Sequence, residues 1–490
     1  MAVWLNDNPY NLPLARLKYR TTLTTIIEYP PGPSNKMRPA KLLREFLHDP
    51  IKTLQSISYK YGDISHFKLG RQHVYLINNP DYIQKVLVYD HRNFTKGKRL
   101  QLAKTLLGEG LVTSEGDLHD RQRRIIQPLF HPKQITTYGK VITDYAASLN
   151  QRWKDGETRD ILKEMMQLTL SIICKSVLNY EVESEAEEVG KALTICRNYS
   201  KRLQSPLGQV LNKIPILPNV KGARKAKEEL DKLVYGLIKE RRQRPESDVK
   251  SYDDLLTRLL LAQDTIEPRP GAGTGGTDSA SSGMSDKQVR DEIMTIFIAG
   301  HETTANALTW TFYLLSQHPG AEEKLLAELG TVLDNNRTAT IDDIPKLKYT
   351  EKVLRESMRL YPPVWSMGRS VDTDYTLGGY TVPAGSTIMM SQYVMHRDTR
   401  YYTEPDQYNP DRWVSESRSS LPRFSYFPFG GGIRACIGEP FAWMEGILVL
   451  ATICRQWKMR LVPGHRVELD PAITLRPKYG MKMKLERRNV

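Results

Sequence analysis

One cysteine stands in a glycine-rich stretch near the C-terminus, FGGGIRACIG at 429–438. Three consecutive glycines precede Cys436, and Gly438 follows it two residues later. Glycine has no Cβ atom and readily adopts positive φ, so such a run is typical of a loop whose backbone approaches another group closely. Cys436 is therefore a candidate for chemistry at a close contact of this loop.

The number and spacing of the cysteines limit that chemistry. The chain has four, Cys174, Cys196, Cys436 and Cys454, and no CxxC pair. This pattern does not favour a disulfide framework, a zinc site or an iron–sulfur cluster, and a covalently attached haem would need CxxCH. Apart from Cys436, the cysteines lie in apolar, helix-like segments, which is typical of buried structural cysteines.

A second candidate is AGHETT at 299–304, inside a long apolar segment with helical character. Glycine inside a helix costs about 1 kcal/mol relative to alanine, so its presence needs a reason. Ala299 and Gly300 would leave a flat patch on the helix for a large group. The hydroxyl of Thr303 can donate a hydrogen bond to the carbonyl of Ala299, four residues earlier. Glu302 has no evident partner in an apolar core. Taken alone, a glycine kink with a satisfied polar pair explains the segment better.

A possible ion pair lies further along the chain. Glu356 and Arg359, in KVLRESMRLYPP, are separated by three residues and share one helix face. An exposed pair worth about 0.2–0.5 kcal/mol is the commoner explanation of this spacing. Arg412 follows Pro410 in QYNPDRW and adds a further cation.

The surrounding pattern indicates which elements would hold these residues. HFKLGRQHVYLI at 66–77 predicts short strands, and 89–263 has mostly helical spacing. Residues 265–285 are rich in Gly, Ser, Thr and Pro and predict a mobile surface loop; no strand precedes their formal GxGxxG, so a dinucleotide site is not favoured. Ser285 and Gln288 then form an S-x-x-Q capping box, which predicts the start of the long apolar helix.

Composition indicates a globular protein. Of the 490 residues, 40% are hydrophobic and 26% are charged. The sequence has no apolar run of the roughly 18–20 residues that span a bilayer, and its N-terminus lacks the order of a signal peptide. We therefore expect a cytoplasmic protein without a membrane anchor.

The charge is basic, with 70 Lys and Arg against 56 Asp and Glu, or +14. Such a balance favours acidic partners, which include nucleic acid, anionic membranes and acidic proteins. The densest cluster, KERRQR at 239–244, follows a helical pattern and is better explained as a solvated helix end. It has neither the interleaved aromatic residues nor a motif typical of nucleic-acid binding. We therefore do not expect the protein to bind nucleic acid.

Taken together, the motifs resemble the cytochrome P450 family. The cysteine loop is similar to the family pattern F-x-x-G-x-R-x-C-x-G, the apolar helix to A-G-x-E-T, and the ion pair to E-x-x-R with a later arginine partner. HDRQRRIIQPLF resembles an H-x-x-x-R variant of the family's W-x-x-x-R. The order and spacing agree from roughly Pro30 to Arg487. The matching loop and helix positions are Phe429, Gly432, Arg434, Cys436, Gly438, His119 and Arg123.

The resemblance implies a single domain over 1–490 with the P450 fold, an α-rich triangular prism with small β-sheets that encloses haem b. Cys436 would bind the iron as a thiolate, stabilised by the backbone N–H groups and the helix N-terminus that follow it. The loop glycines would keep Cβ atoms away from the porphyrin. The residues expected to face the two propionates are His119, Arg123, Arg369 and Arg434.

The same resemblance gives the other motifs their roles. Ala299 and Gly300 would border the distal face of the haem, and Thr303 with Glu302 would deliver protons to dioxygen. A buried structural network beneath the haem would contain Glu356, Arg359 and Arg412, in which loss of one partner leaves an unpaired charge.

The implied activity is that of a haem-thiolate monooxygenase, which inserts one oxygen atom from O2 into a hydrophobic organic substrate. AGHETT resembles the fatty-acid hydroxylase branch, but fatty acid, terpenoid and steroid substrates all stay open. Two alternatives remain. A peroxide-driven peroxygenase often lacks the Glu302 and Thr303 pair, and a non-catalytic haem-binding or sensing protein has no need of it.

The sequence has no flavin or iron–sulfur motif, so electrons would come from a separate carrier. We expect an acidic ferredoxin or flavodoxin with its reductase, steered by opposite charge. In the helix of His119 and Arg123, the outward candidates for docking are Arg121 and Arg124. We expect the protein to be a monomer.

Overall fold

The computed structural model describes residues 28–33, 39–182, 185–203, 208, 211–212, 214, 217–245, 254–261, 284–334, 337–414 and 420–488. The predicted mobile loop at 265–285 falls outside the described residues except for its last two positions.

Helices dominate the described chain, which confirms the prediction of a mainly α fold. Their bounds in chain order are α1 Pro39–His48, α2 Pro50–Tyr61, α3 Pro80–Gln84, α4 Lys98–Gln101, α5 Lys104–Leu107, α6 Gly116–Ile126, α7 Pro132–Ile135, α8 Gly139–Arg152, α9 Ile161–Leu178, α10 Ala186–Leu203, α11 Pro218–Gln243, α12 Leu255–Leu261, α13 Asp286–Gln317, α14 Pro319–Val332, α15 Lys348–Leu360, α16 Gln392–Met395 and α17 Glu439–Gln456. No helix in these ranges is long and apolar enough to cross a membrane.

The strands are short, as predicted, and form small sheets. Their bounds are β1 Ile64–Leu69, β2 Gln72–Ile77, β3 Phe94–Lys96, β4 Thr158–Asp160, β5 Met367–Val371, β6 Tyr375–Leu377, β7 Tyr380–Val382, β8 Thr387–Met390, β9 Trp457–Leu461, β10 Leu469–Pro471, β11 Leu475–Pro477 and β12 Lys482–Arg487. The largest sheet has the order β1-β2-β8-β5-β3, and a second has the order β4-β12-β9. In the first, β2 and β8 are parallel and the other pairs antiparallel. This sheet places β3 and β5 side by side, which matters for the site below.

Helix α13 is the central element of the core. The predicted capping box is present: Ser285 Oγ accepts the N–H of Gln288, whose side chain accepts the N–H of Ser285. Most of the 32 residues of the helix are buried, because α9, α11, α15 and α17 pack against it. A Cβ atom on Gly300 would lie 2.8 Å from Cγ1 of Ile173 on α9. The glycine thus permits the close approach of α9, and the flat patch for a bound group at Ala299 and Gly300 stays a prediction.

A buried ion network ties α15 to the segment that precedes the cysteine loop. Arg359 donates from Nε and Nη2 to the two carboxylate oxygens of Glu356, at 2.9 and 2.8 Å, and both side chains are completely buried. Arg412 Nε and the Asn409 N–H donate to Glu356 Oε1 at 2.9 and 3.0 Å, and Trp413 Nε1 donates to Oε2 at 2.9 Å. The carboxylate therefore joins one helix to a distant segment through five hydrogen bonds.

We expect Glu356→Gln to lower the free energy of unfolding by about 3–5 kcal/mol, because it leaves Arg359 as a buried charge without a counter-ion. Urea unfolding of the purified protein measures the loss. Asp144→Asn is the matched control, since Asp144 pairs with Lys140 at 2.6 Å on an exposed helix face. That substitution should cost less than about 1 kcal/mol. Equal losses in the two variants would contradict a special role for the buried network.

Candidate active site

The glycines of the cysteine loop are required by the protein's own packing. Gly430 and Gly432 have φ of +71° and +70°, a conformation that other residues rarely adopt. A Cβ atom on Gly432 would lie 1.9 Å from the carbonyl oxygen of Leu87, and one on Gly431 would lie 2.4 Å from Cε1 of Phe424. From the resemblance, we expected a porphyrin to be the close neighbour of these glycines. At these two positions the neighbour is instead the polypeptide, which fixes the loop before any cofactor is considered.

Cys436 lies between this loop and the first turn of α17. Its N–H donates to the carbonyl of Phe429 at 3.0 Å and closes the loop. The Cys436 side chain lies deep in the fold yet keeps accessible surface, whereas the other three cysteines are buried as predicted. Burial raises the pKa of the Cys436 thiol to about 11, and the backbone N–H groups of Gly438 and Glu439 oppose this increase. These N–H groups can stabilise a thiolate once a metal cation offsets its burial.

Basic side chains converge beside the loop, where β3, β5 and α6 meet. Lys96 on β3, Arg369 on β5 and Arg434 in the loop interact electrostatically with one another. Glu115, the residue before α6, accepts from Arg434 and from the backbone N–H of Lys96. Glu115 thus interacts with all three cations. Arg434 Nη1 is buried and has no hydrogen-bond partner in the ranges that the structure covers.

The pKa values of this group reflect its crowding. Burial, with a contribution from the guanidinium of Arg434, lowers the pKa of Lys96 to about 7 and that of Arg369 to about 10. His119 is also buried there, and burial together with nearby Lys96 lowers its pKa to about 4, which makes it a neutral hydrogen-bonding group at pH 7. The cluster therefore has the surplus positive charge that a buried anion would neutralise.

Sequence reasoning identified three members of this cluster and missed Lys96. Lys96 Nζ donates to the carbonyl oxygens of Leu111 at 2.8 Å and Ser114 at 2.5 Å, so it also holds the segment that leads into α6. A lysine in the run TKGK gives no sequence signal of burial. Only the pairing of β3 with β5 brings it beside Arg369.

Arg123 makes hydrogen bonds to the cysteine loop and at the end of α6. Its Nη1 donates to the carbonyl of Ala435 at 2.9 Å and its Nε to Gln127 Oε1 at 3.1 Å. It therefore binds the backbone directly before Cys436, and its charge opposes the raised pKa of the thiol. We expected this guanidinium to face a propionate, whereas its described hydrogen bonds support the cysteine loop.

On α13, one face stays accessible in the middle of an otherwise buried helix. Ala299 is exposed, and Gly300 and Thr303 are half-buried. Thr303 Oγ1 donates to the carbonyl of Ala299 at 2.8 Å, as predicted from the sequence. This face offers a small, nearly flat surface with one hydroxyl.

Glu302 is buried and tightly held. Its Oε1 accepts from Arg476 Nε at 2.7 Å and from the hydroxyl of Thr474, and Arg197 Nε lies 3.0 Å away. Burial alone would raise the pKa of Glu302, but Arg476, Arg197 and Thr474 outweigh it and lower the pKa below its ordinary value. Glu302 is therefore an ionised carboxylate. Its partners lie in the β10–β11 hairpin and on α10, and no local sequence pattern predicts their contact with Glu302.

These observations fit an iron porphyrin. The accessible thiol among N–H donors suits a soft iron ligand, and the exposed face at Ala299 suits contact with a flat ring. The unpartnered Nη1 of Arg434, within a group of excess positive charge, suits the carboxylates of propionate side chains.

Comparisons with known proteins agree with this site. Residues 30–485 match the family model described as Cytochrome P450. The chain is 36% identical to cyclooctatin synthase of Streptomyces melanosporofaciens over 427 residues, which cover 87% of this chain and 89% of the relative. It is 34% identical to cyclooctat-9-en-7-ol 5-monooxygenase of the same organism, covering 85% and 86%. It is 31% identical to pentalenene oxygenase of Streptomyces avermitilis, covering 91% and 94%.

Solved structures show the same fold. The crystal structure of the cytochrome P450DA heme domain superimposes with a TM-score of 0.81 and 23% identity, over 95% of this chain and 99% of that one. The fold agrees with the one that the sequence motifs implied, and the family model spans nearly the whole chain. The chain belongs to the cytochrome P450 family.

Proposed function

We propose that this protein hydroxylates a cyclic terpenoid at a haem whose iron is bound by Cys436. Membership of the family makes the chain a haem-thiolate monooxygenase acting on a hydrophobic substrate. The observation that carries the assignment of the ligand is the accessible Cys436 side chain, held in a glycine loop ahead of the N-terminus of α17. The haem, when bound, supplies oxygen-activating chemistry, which a thiolate favours by donating electron density to iron.

The basic cluster would bind the propionates. Arg434 offers an unpartnered Nη1, and Arg369 and Lys96 add positive charge beside it. His119 would donate or accept as a neutral imidazole. Arg123 would not contact the propionates in this arrangement. It would hold Cys436 in position by donating a hydrogen bond to the carbonyl of Ala435.

Thr303 and Glu302 would serve proton delivery on the distal side. The Thr303 hydroxyl is hydrogen-bonded to Ala299 on the accessible helix face, where it can pass on its proton and be re-protonated. Glu302 must first separate from Arg476 or Arg197 before it can take up a proton, since both hold it ionised. The presence of this pair supports use of O2 and electrons rather than peroxide.

The proposal of a terpenoid substrate comes from the relatives. One is named for cyclooctat-9-en-7-ol and another for pentalenene, and the chain covers most of the length of both. The sequence segments expected to line the pocket, such as Pro363–Met367 and 295–303, are mostly apolar or small, which suits a compact hydrocarbon.

Electrons would come from an acidic ferredoxin or flavodoxin with its reductase, which docks on the outer side of α6. Arg124 is exposed on that helix, whereas Arg121 is half-buried, so Arg124 is the better candidate for a charged contact. A steering charge of this kind raises the association rate. We also propose that the protein acts as a cytoplasmic monomer.

Replacing Cys436 with alanine should abolish the strongly red-shifted Soret band of the reduced carbon monoxide complex, because the thiolate that produces it is lost. Absorption spectroscopy of the reconstituted protein measures this. Cys454→Ala is the control, since Cys454 is buried in α17 away from the loop, and it should keep the band. A Cys436→Ala protein that retains the band would refute the assignment of the ligand.

The substrate class is tested by titrating the purified holoprotein with a panel of cyclic terpenoids, fatty acids and steroids, with the haem absorption spectrum as reporter. We expect at least one cyclic terpenoid to saturate the spectral change at a concentration about tenfold or more below the best fatty acid or steroid, a difference of roughly 1.4 kcal/mol. Tighter binding of a fatty acid or steroid would contradict a terpenoid substrate and leave the monooxygenase assignment intact.

A further inference from the structure

Three buried oxygen atoms lie together beneath residues 109–111, and none has a hydrogen-bond partner among the described residues. They are Glu292 Oε1, Thr295 Oγ1 and Gln122 Oε1. Buried polar atoms in folded proteins are nearly always satisfied, and unpaired groups that cluster are typical sites of ordered water. These oxygens therefore mark a polar site between α6 and α13.

The backbone of residues 109–111 connects the members of this site. Glu292 Oε2 accepts the N–H of Leu111 at 3.0 Å, and Gln122 Nε2 donates to the carbonyl of Glu109 at 2.6 Å. A Cβ atom on Gly110 would lie 2.2 Å from Thr295 Oγ1, so the backbone covers that hydroxyl directly. One oxygen of Glu292 is thus used to anchor the backbone, while the other is free for a second purpose.

Helical geometry aligns this site with the accessible face of α13. At about 100° per residue, Glu292, Thr295, Ala299 and Thr303 fall within one stripe less than about 90° wide. Consecutive members are about 4.5–6 Å apart along the axis. Ala299 is exposed and Thr303 half-buried, so the far end of the stripe is wettable, while its near end carries a carboxyl and a hydroxyl.

The two glutamates of α13 differ in proton affinity. Glu302 is held ionised by Arg476 and Arg197. Burial raises the pKa of Glu292 to about 8; the N–H of Leu111 and the charge of Lys96 on β3 oppose this, and Asp291 adds to it. A side-chain hydrogen bond with Gln122, on α6, also opposes the raised pKa of Glu292. At pH 7 Glu292 is therefore mainly a neutral acid that can donate a proton.

We propose that Glu292 is a proton-relay residue, which supplies protons through ordered water and Thr295 along this stripe to Thr303. This rests on the proposed function, in which Thr303 serves the site of oxygen reduction. Each hydroxylation consumes O2, two electrons and two protons and yields the alcohol and water. A proton leaves Glu292 Oε1 and passes to water and Thr295 Oγ1. Each hydroxyl donates its own proton onward and accepts the next one, and the Glu292 carboxylate is re-protonated through ordered water.

A purely structural role is the competing explanation, and Asp291 provides the matched control. Asp291 Oδ2 accepts the N–H of Glu109 at 2.9 Å, so it anchors the same segment as Glu292 does. Its carboxylate also pairs with Arg290 at 2.9 Å. Both Asp291→Asn and Glu292→Gln keep an oxygen that can accept from the segment. Only Glu292→Gln removes an acidic proton from the stripe.

The experiment compares both variants as holoproteins with a saturating substrate, an electron donor and O2. We expect Glu292→Gln to lower the rate of product formation about tenfold. Loss of a proton donor typically costs roughly 10²–10⁴-fold, and the loss should be smaller here because water can partly replace the carboxylic acid. The fraction of electrons recovered in product should fall, the solvent deuterium isotope effect should rise, and the KM should be unchanged. Glu292→Asp should restore part of the rate. Asp291→Asn keeps the proton of Glu292 and removes only a charge that adds to the pKa of Glu292, so its changes in all four quantities should be much smaller than those of Glu292→Gln.

An infrared measurement supplies a readout independent of turnover. Burial also raises the pKa of Glu445 on α17 to about 8, so the spectrum of Glu292→Gln is subtracted from that of wild type to isolate Glu292. The difference spectrum at pH 7 should show the C=O stretch of a buried protonated carboxylic acid, which disappears as the pH rises above about 8. Unchanged electron recovery and isotope effect in Glu292→Gln, or equal losses in Asp291→Asn, would overturn the proposal. If Glu292→Gln does not fold, Thr295→Val must give the same rise in isotope effect, and its failure to do so would also overturn it.

These outcomes are distinct from a failure of the proposed function. The red-shifted band of the carbon monoxide complex reports the Cys436 thiolate and should persist in every variant of α13. A relay that fails in a protein with that band disproves the role of Glu292 alone. A wild-type protein without the band disproves the proposed ligand.

Discussion

The placement of Cys436 depends on one steric constraint, the contact of its loop with the polypeptide on the other side. At Gly432 a Cβ atom would lie 1.9 Å from the carbonyl oxygen of Leu87, and positive φ is needed there as well. No other residue meets both conditions without movement of the backbone. The loop is thereby held against the short helical segment Lys85–Tyr89. The thiol then lies before the N-terminus of α17, and Arg123 reaches the carbonyl of Ala435.

The electrostatics of the site follow from that placement. Arg434, two residues before Cys436, joins Lys96 and Arg369, and Glu115 offsets part of their charge. Excess positive charge at this depth is costly unless an anion compensates for it, and a buried charge without a partner is commonly a functional feature. On α13, by contrast, the buried charge of Glu302 is negative, and the cations Arg476 and Arg197 compensate for it. The fold therefore keeps fixed positive charge at two places and leaves Glu292 as an acid with high proton affinity.

Much of this arrangement could be predicted from the sequence, and the remainder depends on long-range packing. Local sequence pattern predicts three features that the structure confirms: the capping box of α13, the hydrogen bond from the Thr303 hydroxyl to the carbonyl of Ala299, and the buried cysteines. Lys96 and the partners of Glu302 lie far away in the chain and come together only through sheet pairing and the β10–β11 hairpin. The contact of Gly300 with Ile173 could not be predicted for the same reason, because Ile173 lies 127 positions earlier in the sequence.

The central claim is that the loop presents the sulfur of Cys436 to iron. Its most direct test is the resonance Raman spectrum of the ferric holoprotein, prepared once with ordinary cysteine and once with cysteine labelled with a heavy sulfur isotope. We expect an iron–sulfur stretching band that moves to lower frequency with the label, both in wild type and in a variant whose other three cysteines are alanine. A spectrum without a sulfur-sensitive band, or a band that is lost when the other three cysteines are removed, would contradict it.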